Sequence, residues 1–340
     1  MDVHQVERAV LTNDTKDEPA HRKSRLGGLS LSNYALPALL IILVVTFSLW
    51  RPTTFATVDN FKTILSANSV VALLALGAMM PLVVGEFDLS VGANLGLSLI
   101  VCTGLLSKSH ANLAVAIAVA ILCSTLVGLI NGMLVARAGI DAFVTTLAVS
   151  ALLTGGINWY TNGETFSTNI PKTLTDIGQS SVWGIPYPVI ILAVAVIVAY
   201  YTMNATPLGR YLYSIGGNKD ASRLSGLNVP RLTIFAFVAS GFMAGVAGVL
   251  QAGQLGSGNP TVGPSYLLPA YAAVFLGATS FRRGTFNVAG TIVAVFTIAV
   301  GVNGLVAVGA PFYIEPIFTG VALLAAALAA RALQKSRKSA

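Results

Sequence analysis

The sequence predicts an all-α, polytopic integral membrane protein of about ten transmembrane helices with both termini cytoplasmic, and three observations carry that expectation. Of the 340 residues, 55% are hydrophobic and 10% are charged, with a mean hydropathy of +0.77. Soluble domains carry roughly a quarter charged residues, so this chain has too little polar surface to cover a globule of its size. Apolar runs recur along most of its length, each near the ~20 residues that a bilayer core requires. The basic residues, finally, fall unevenly on alternate connections.

Residues 1–33 are polar and carry both signs, as in VERAVLTNDTKDEPAHRKSR. The stretch is too long and too acidic for the n-region of a signal peptide, and no small-x-small site follows the first apolar run. It is expected to be a disordered cytoplasmic tail ahead of a transmembrane domain spanning 34–331. Within that domain the apolar runs are 34–50, 65–85, 89–106, 111–135, 139–160, 186–203, 232–253, 266–280, 286–308 and 313–331. The run at 266–280 is short for an upright span and is expected to be broken or partly re-entrant. Two connections are long: 161–185, rich in Thr, Ser and Asn, and 204–231. A basic tail, 332–340, closes the chain.

An even span count puts both termini on one side. With the N-terminus inside, the inner segments hold 16 of the 20 Lys and Arg, among them Arg137, Arg210, Lys219, Arg223, Arg231, Arg282 and Arg283. The outer segments hold Arg51, Lys62, Lys108 and Lys172. That bias is the positive-inside pattern of a multi-pass membrane protein. It places 161–185 outside and 204–231 in the cytoplasm. It also accounts for the net charge of +7 without nucleic acid, since no basic run is interleaved with aromatics.

Several function classes fall away. No Gly-Lys dipeptide occurs, so the chain lacks the phosphate loop of an ATPase. Cys102 and Cys123 lie in apolar runs and are expected to be free packing thiols. His4, His21 and His110 are isolated from one another, so neither a metal site nor a bound cofactor is expected. No nucleophile–base constellation suggests an enzyme. Ion-coupled carriers keep ionisable groups inside their spans, whereas here Glu86 and Asp88 sit between two spans, with Asp141 and Glu315 at span edges. The chain is therefore expected to conduct a solute while a partner protein supplies the energy. The alternative is a stand-alone secondary transporter that uses Glu86 and Asp88 for protons; a passive channel is a further rival.

Within the inner loop, NKDASRLSGLNVP has the marks of one short helix. Asn218 or Asp220 can cap its start, Ala221 to Leu224 propagate it, and Gly226 can take the left-handed stop. With Leu224 and Leu227 outward, such a helix suits docking into a groove on a partner; otherwise it is an interfacial hairpin. Asp88 precedes Leu-Ser-Val, where the next helix begins, and is expected to cap that helix or form its turn. A gating role and a proton-carrying role are the alternatives, and composition offers no account of Glu86. Asn94, Asn131, Thr145, Thr146, Asn158 and Asn303 can hydrogen-bond a neutral sugar along a path, or equally bond neighbouring helices. Gly241, Gly245 and Gly248 share a helical face suited to close packing.

At these residues the chain resembles a known family. GEFDLSVGANLGL, with Gly85, Glu86, Asp88, Ser90 and Gly92, resembles the GG-x-DLSVG turn of ribose/xylose/arabinose-type permease subunits of bacterial ABC sugar importers. GLINGMLVARAGIDAFVTTLAVSALLTGG (128–156) is similar to their next segment, and LGRYLYSIGGNKDASRLSGLNVPRLTIFAFVASGFMAGVAGVL (208–250) to their coupling loop and following helix. The likeness runs from about 34 to 331. It implies a permease dimer (two copies or a related pair), an ATP-binding subunit holding ATP and Mg, and a periplasmic sugar-binding protein. It also implies that 218–227 is the coupling helix, with Asp220, Ala221, Arg223 and Gly226 at matching positions. Glu86 departs from the pattern, which has glycine there, and Asp141 stands where proline is common.

Overall fold

The computed structural model describes residues 34–282 and 284–338; the predicted tail 1–33, Arg283 and residues 339–340 lie outside it. The helices are α1 (Ala35–Trp50), α2 (Val58–Ala67), α3 (Ser69–Val83), α4 (Val91–Ser109), α5 (Leu113–Ala136), α6 (Ala142–Thr161) and α7 (Lys172–Gln179). After a small hairpin, β1 (Ser181–Val182) and β2 (Ile185–Pro186), come α8 (Tyr187–Ala205), α9 (Pro207–Gly217), α10 (Lys219–Leu224) and α11 (Val229–Leu255). The remainder are α12 (Val262–Ser265), α13 (Leu267–Gly277), α14 (Val288–Val308) and α15 (Ile314–Lys338).

Among the described residues, seven helical stretches are long and apolar enough to cross a bilayer: Val58–Val83, α4, α5, α6, α8, α11 and α14. Three shorter apolar helices, Ala35–Trp50, Val262–Gly277 and Ile314–Leu328, fall on the remaining predicted runs. The short run at 266–280 forms one 11-residue helix, α13, which follows the four-residue α12 at Tyr266. α13 is packed into the interior, where Ala270, Ala272, Ala273 and Val274 are fully buried. α15 continues to Lys338, so the predicted basic tail is helical as far as its backbone is described.

The centre of the bundle is α3. From Val70 to Met79 its apolar side chains are almost all at zero exposure, because α11, α13, α14 and α4 surround it. Burial among helices gains little from the hydrophobic effect when the alternative is lipid, so close packing must hold these elements. The α5–α11 contact shows how. A Cβ added to Gly241 would lie 2.6 Å from the Ser124 carbonyl, and one on Gly128 would lie 2.3 Å from the Phe237 carbonyl. Gly248 meets α4 at the Leu95 carbonyl in the same way, at 2.4 Å. Any side chain at these positions would push the helices apart. α5, α6 and α8 turn most of their apolar side chains outward, among them Leu122, Leu147, Leu152 and Ile197, as expected for lipid-facing helices.

Both long connections are more ordered than composition suggests. The 161–185 segment contains α7, whose Leu174 is fully buried and whose Gly178 packs on Gly253 of α11. Trp183 and Gly184, at φ +50° and +77°, close the β1–β2 hairpin, which with a single antiparallel bridge between Phe166 and Gly258 departs from an all-α fold; such primed turns need positive φ at both centres. Trp50, Trp159 and Trp183 are all strongly exposed near this end of the bundle, where Lys108 lies over the Tyr160 and Phe166 rings. At the opposite end Tyr34, Tyr200, Tyr201 and Tyr211 are exposed. Aromatic girdles of this kind mark the two headgroup levels of a membrane protein.

The 204–231 segment holds two helices where one was expected. α9 starts with Pro207 in its first turn, where a missing N–H costs nothing. Its Leu212 and Ile215 are buried against the bundle. The 208–212–215 spacing of apolar residues is the sequence signal for α9, obscured by the polar composition around it.

Candidate functional site

The chain leaves α3 through its last turn, which contains Pro81, and re-enters α4 at Val91. Residues 87–90 of the intervening segment, 84–90, are tied to five helices, four of them through side-chain hydrogen bonds. The Asp88 amide donates to the Tyr271 hydroxyl of α13 at 3.0 Å, and the Leu89 amide to Thr146 Oγ1 of α6 at 3.0 Å. Ser240 of α11 donates to Asp88 Oδ2 at 2.7 Å. Ser90 Oγ donates to Asp88 Oδ1 at 2.6 Å and accepts from Asn131 Nδ2 of α5 at 2.8 Å. The fifth link is covalent, into α4 itself. Beside this hub Phe87 stacks nearly parallel on Tyr271, with centroids 6.4 Å apart.

Asp88 is 1% exposed. Its carboxylate takes the Ser90 amide, two residues on, at 3.1 Å. That is a turn-forming contact. Of the two readings expected, cap or turn, the contact is the turn, because Ser90, not Asp88, occupies the cap position and α4 begins one residue later. Among the described residues no cation faces the carboxylate; hydroxyls and one amide satisfy it. Burial pushes its pKa up, and the hydrogen bonds from Ser90 and Ser240 oppose that rise. Desolvation disfavours the charged form, whereas donors that bond the charged form favour it.

Glu86, which composition left unexplained, pairs with Lys219 at the first position of α10. A second contact lies beside it: α9 passes so close to the end of α3 that a Cβ on Gly216 would overlap the Val83 carbonyl. The 204–231 segment is therefore seated directly on the α3–α4 turn. α10 itself is built as its sequence suggests. Asn218 Oδ1 accepts from the Ala221 amide at 2.9 Å, which chooses Asn218 over Asp220 as the cap. Gly226 lies at φ +86°, and its amide bonds the Arg223 carbonyl while the Leu227 amide bonds the Ser222 carbonyl. This is a Schellman stop, which requires a residue without Cβ strain at that place. Asp220, Ala221, Arg223 and Leu224 are exposed, Leu224 at 89%. Leu227, expected outward, is half-buried because the Schellman turn folds it back; Ser222 is buried.

Of the residues proposed for a path, Asn94, Asn131, Thr145 and Thr146 are buried in the bundle. Asn94 and Ser124 join α4 to α5 through bonds of 2.8 and 3.0 Å, and Asn131 and Thr146 belong to the hub. Asn303 accepts from Asn60 at 3.1 Å, tying α14 to α2. Asn158 is exposed. Asn131 Oδ1 and Thr145 Oγ1 are buried without a partner among the described residues. Tyr271 and Ser240, central to the hub, were missed from sequence, since a tyrosine and a serine in apolar runs carry no local mark of a distant partner.

Residues 60–327 match the family described as branched-chain amino acid transport system / permease component. The ribose import permease protein RbsC of Haemophilus influenzae is 37% identical over 297 residues, covering 85% of this chain and 90% of that protein. The D-allose transport system permease protein AlsC of Escherichia coli is 29% identical, covering 95% and 99%. The L-arabinose ABC transporter permease protein AraH of Azospirillum brasilense is 28% identical, covering 95% and 94%. No solved structure matches the chain significantly.

Proposed function

We propose a specific role for this chain within the permease-component family to which it belongs, as a permease subunit of an ABC importer: it forms the membrane pathway for a monosaccharide or a similar small polyol. The named cargoes of its relatives, ribose, allose and arabinose, support a sugar. On this reading the bundle crosses an inner membrane ten times with both termini cytoplasmic, in keeping with the charge bias and the two aromatic girdles. It pairs with a second permease subunit and receives its cargo from a periplasmic binding protein. ATP and Mg are held by a separate ATP-binding subunit.

The observation that carries the mechanism is the seating of α9 and α10 on the α3–α4 turn, α10 through Lys219–Glu86 and α9 through the Gly216–Val83 approach. The exposed face of α10, with Asp220, Ala221, Arg223 and Leu224, docks in a groove of the ATP-binding subunit. Motion of that subunit reaches the turn, and the Asp88 hub distributes it to α5, α6, α11 and α13. Interiors that are packed without slack move as units, so small displacements become helix shifts. The spare oxygens of Asn131 and Thr145 become hydrogen-bonding points for a passing hydroxyl once those helices shift. Reconstitution with the ATP-binding subunit and the binding protein tests this. Uptake that requires ATP and survives collapse of the proton gradient is expected. Uptake that follows the proton gradient without ATP would refute it in favour of proton coupling.

A further inference from the structure

At the end of the bundle that carries α10, a cavity of about 230 Å³ opens between α1, α8 and α14, lined by Tyr34, Tyr200, Asn204, Phe281, Arg282 and the first turn of α14. Three features suit it to an anionic, amphipathic ligand. Arg282 is exposed and has no acidic partner among the described residues. The cap of the 21-residue α14, Asn287, satisfies the Gly290 amide, while the first-turn amides of Val288 and Ala289, beside the cavity, have no carbonyl within their own helix to bond. Unpaired amides and the positive end of a long helix favour an anion. The wall is aromatic: Tyr34 meets Phe281 edge to face at 6.0 Å, and Tyr200 is exposed on a lipid-facing helix. Phe281 holds φ +57°, a costly conformation for a bulky residue that persists where the surroundings impose it.

We propose that this cavity seats the phosphate of an anionic phospholipid from the inner leaflet, with Arg282 and the α14 N-terminus on the phosphate and the tyrosines at the glycerol level. The volume argues for a headgroup. It falls below the roughly 300–1,000 Å³ of an ordinary small-molecule pocket, whereas a lipid needs only its phosphate inside and leaves its acyl chains in the bilayer. Position agrees: basic pockets between helices on the cytoplasmic side are where anionic headgroups bind. The proposal rests on the inward orientation of this end, which cysteine labelling tests separately, and not on the identity of the cargo.

Native mass spectrometry of the full chain, extracted in mild detergent and offered phosphatidylglycerol or phosphatidylcholine, tests it. The wild type is expected to retain phosphatidylglycerol over phosphatidylcholine. Arg282→Gln is expected to lower retention about fivefold, the order of one interfacial base. Ala289→Asp should lower it as much without harm to the fold, since a carboxylate in a first helical turn is favourable yet repels phosphate. Arg137→Gln, an exposed base elsewhere, should change nothing. Equal retention by the wild type and both cavity variants would overturn the proposal. So would displacement of the lipid by inorganic phosphate or ATP, which would mark a site for a free anion, or wild-type retention of phosphatidylcholine equal to that of phosphatidylglycerol.

Discussion

The Asp88 hub makes a prediction whose size can be worked from its contacts. In Asp88→Asn the remaining oxygen can keep both bonds from Ser90, and the new amide can donate to the Ser240 hydroxyl, which turns to accept it. The buried charge disappears with little loss of pairing, so stability is expected to change by less than about 1 kcal/mol. Asp88→Leu is different. The two serine hydroxyls can rotate toward other acceptors, but the Ser90 amide is fixed at the start of α4 and would be stranded in a site with no access to water. One stranded buried donor costs about 1–3 kcal/mol, and bonds to a charged acceptor are stronger than neutral ones. A loss of about 2–4 kcal/mol is therefore expected, a large share of the ~5–15 kcal/mol that holds a typical protein folded. Thermal unfolding of the detergent-purified chain, with membrane yield and ATP-driven uptake measured in parallel, reads both variants. Asn is expected to retain most yield and uptake, and Leu to lose both. If Asn proves as inactive as Leu while remaining folded, the charge itself is needed, and the turn-forming account fails.

Reversing the α10 contact by Lys219→Glu sets two carboxylates together at the turn and is expected to lower uptake per ATP hydrolysed. Lys219→Glu combined with Glu86→Lys should restore it, whereas Glu86→Gly should be mild, because a partly exposed pair contributes about 0–1 kcal/mol. Gly226→Pro forces φ from +86° to the ring's fixed value near −65° and removes the amide that bonds Arg223. Transport and co-purification of the ATP-binding subunit should be lost while the chain still inserts. Gly241→Leu drives a side chain into the Ser124 carbonyl, and a several-fold drop in membrane yield is expected, measured by quantitative immunoblot. A single cysteine at Ser167 should react with impermeant thiol reagents from outside and one at exposed Ser225 should not; the reverse pattern would invert the proposed orientation.

Composition alone determined that this chain belongs in a bilayer, because 10% charged residues cannot clothe a water-soluble surface of this size. Each apolar run became a helix for the same reason: in lipid a backbone must satisfy its own hydrogen bonds. Local chemistry also sufficed for α10, whose start at Asn218 and stop at Gly226 are decided by residues within one turn of each end. The close-packing role of Gly241, Gly245 and Gly248 was likewise visible, since small residues on one helical face admit a neighbouring backbone. What only the tertiary structure decided were the partners. Glu86 is explained by Lys219, 133 positions away, and Asp88 by Ser240 and Tyr271, 152 and 183 positions away. A carboxylate in sequence announces that it needs donors but not which helix brings them. Likewise Asn94 and Asn131 could have faced a path or a neighbour, and the packing of α4 on α5 turned them to their neighbours. A polar side chain inside a membrane bundle takes its role from the helix that arrives opposite it, and that is set by the packing of the whole.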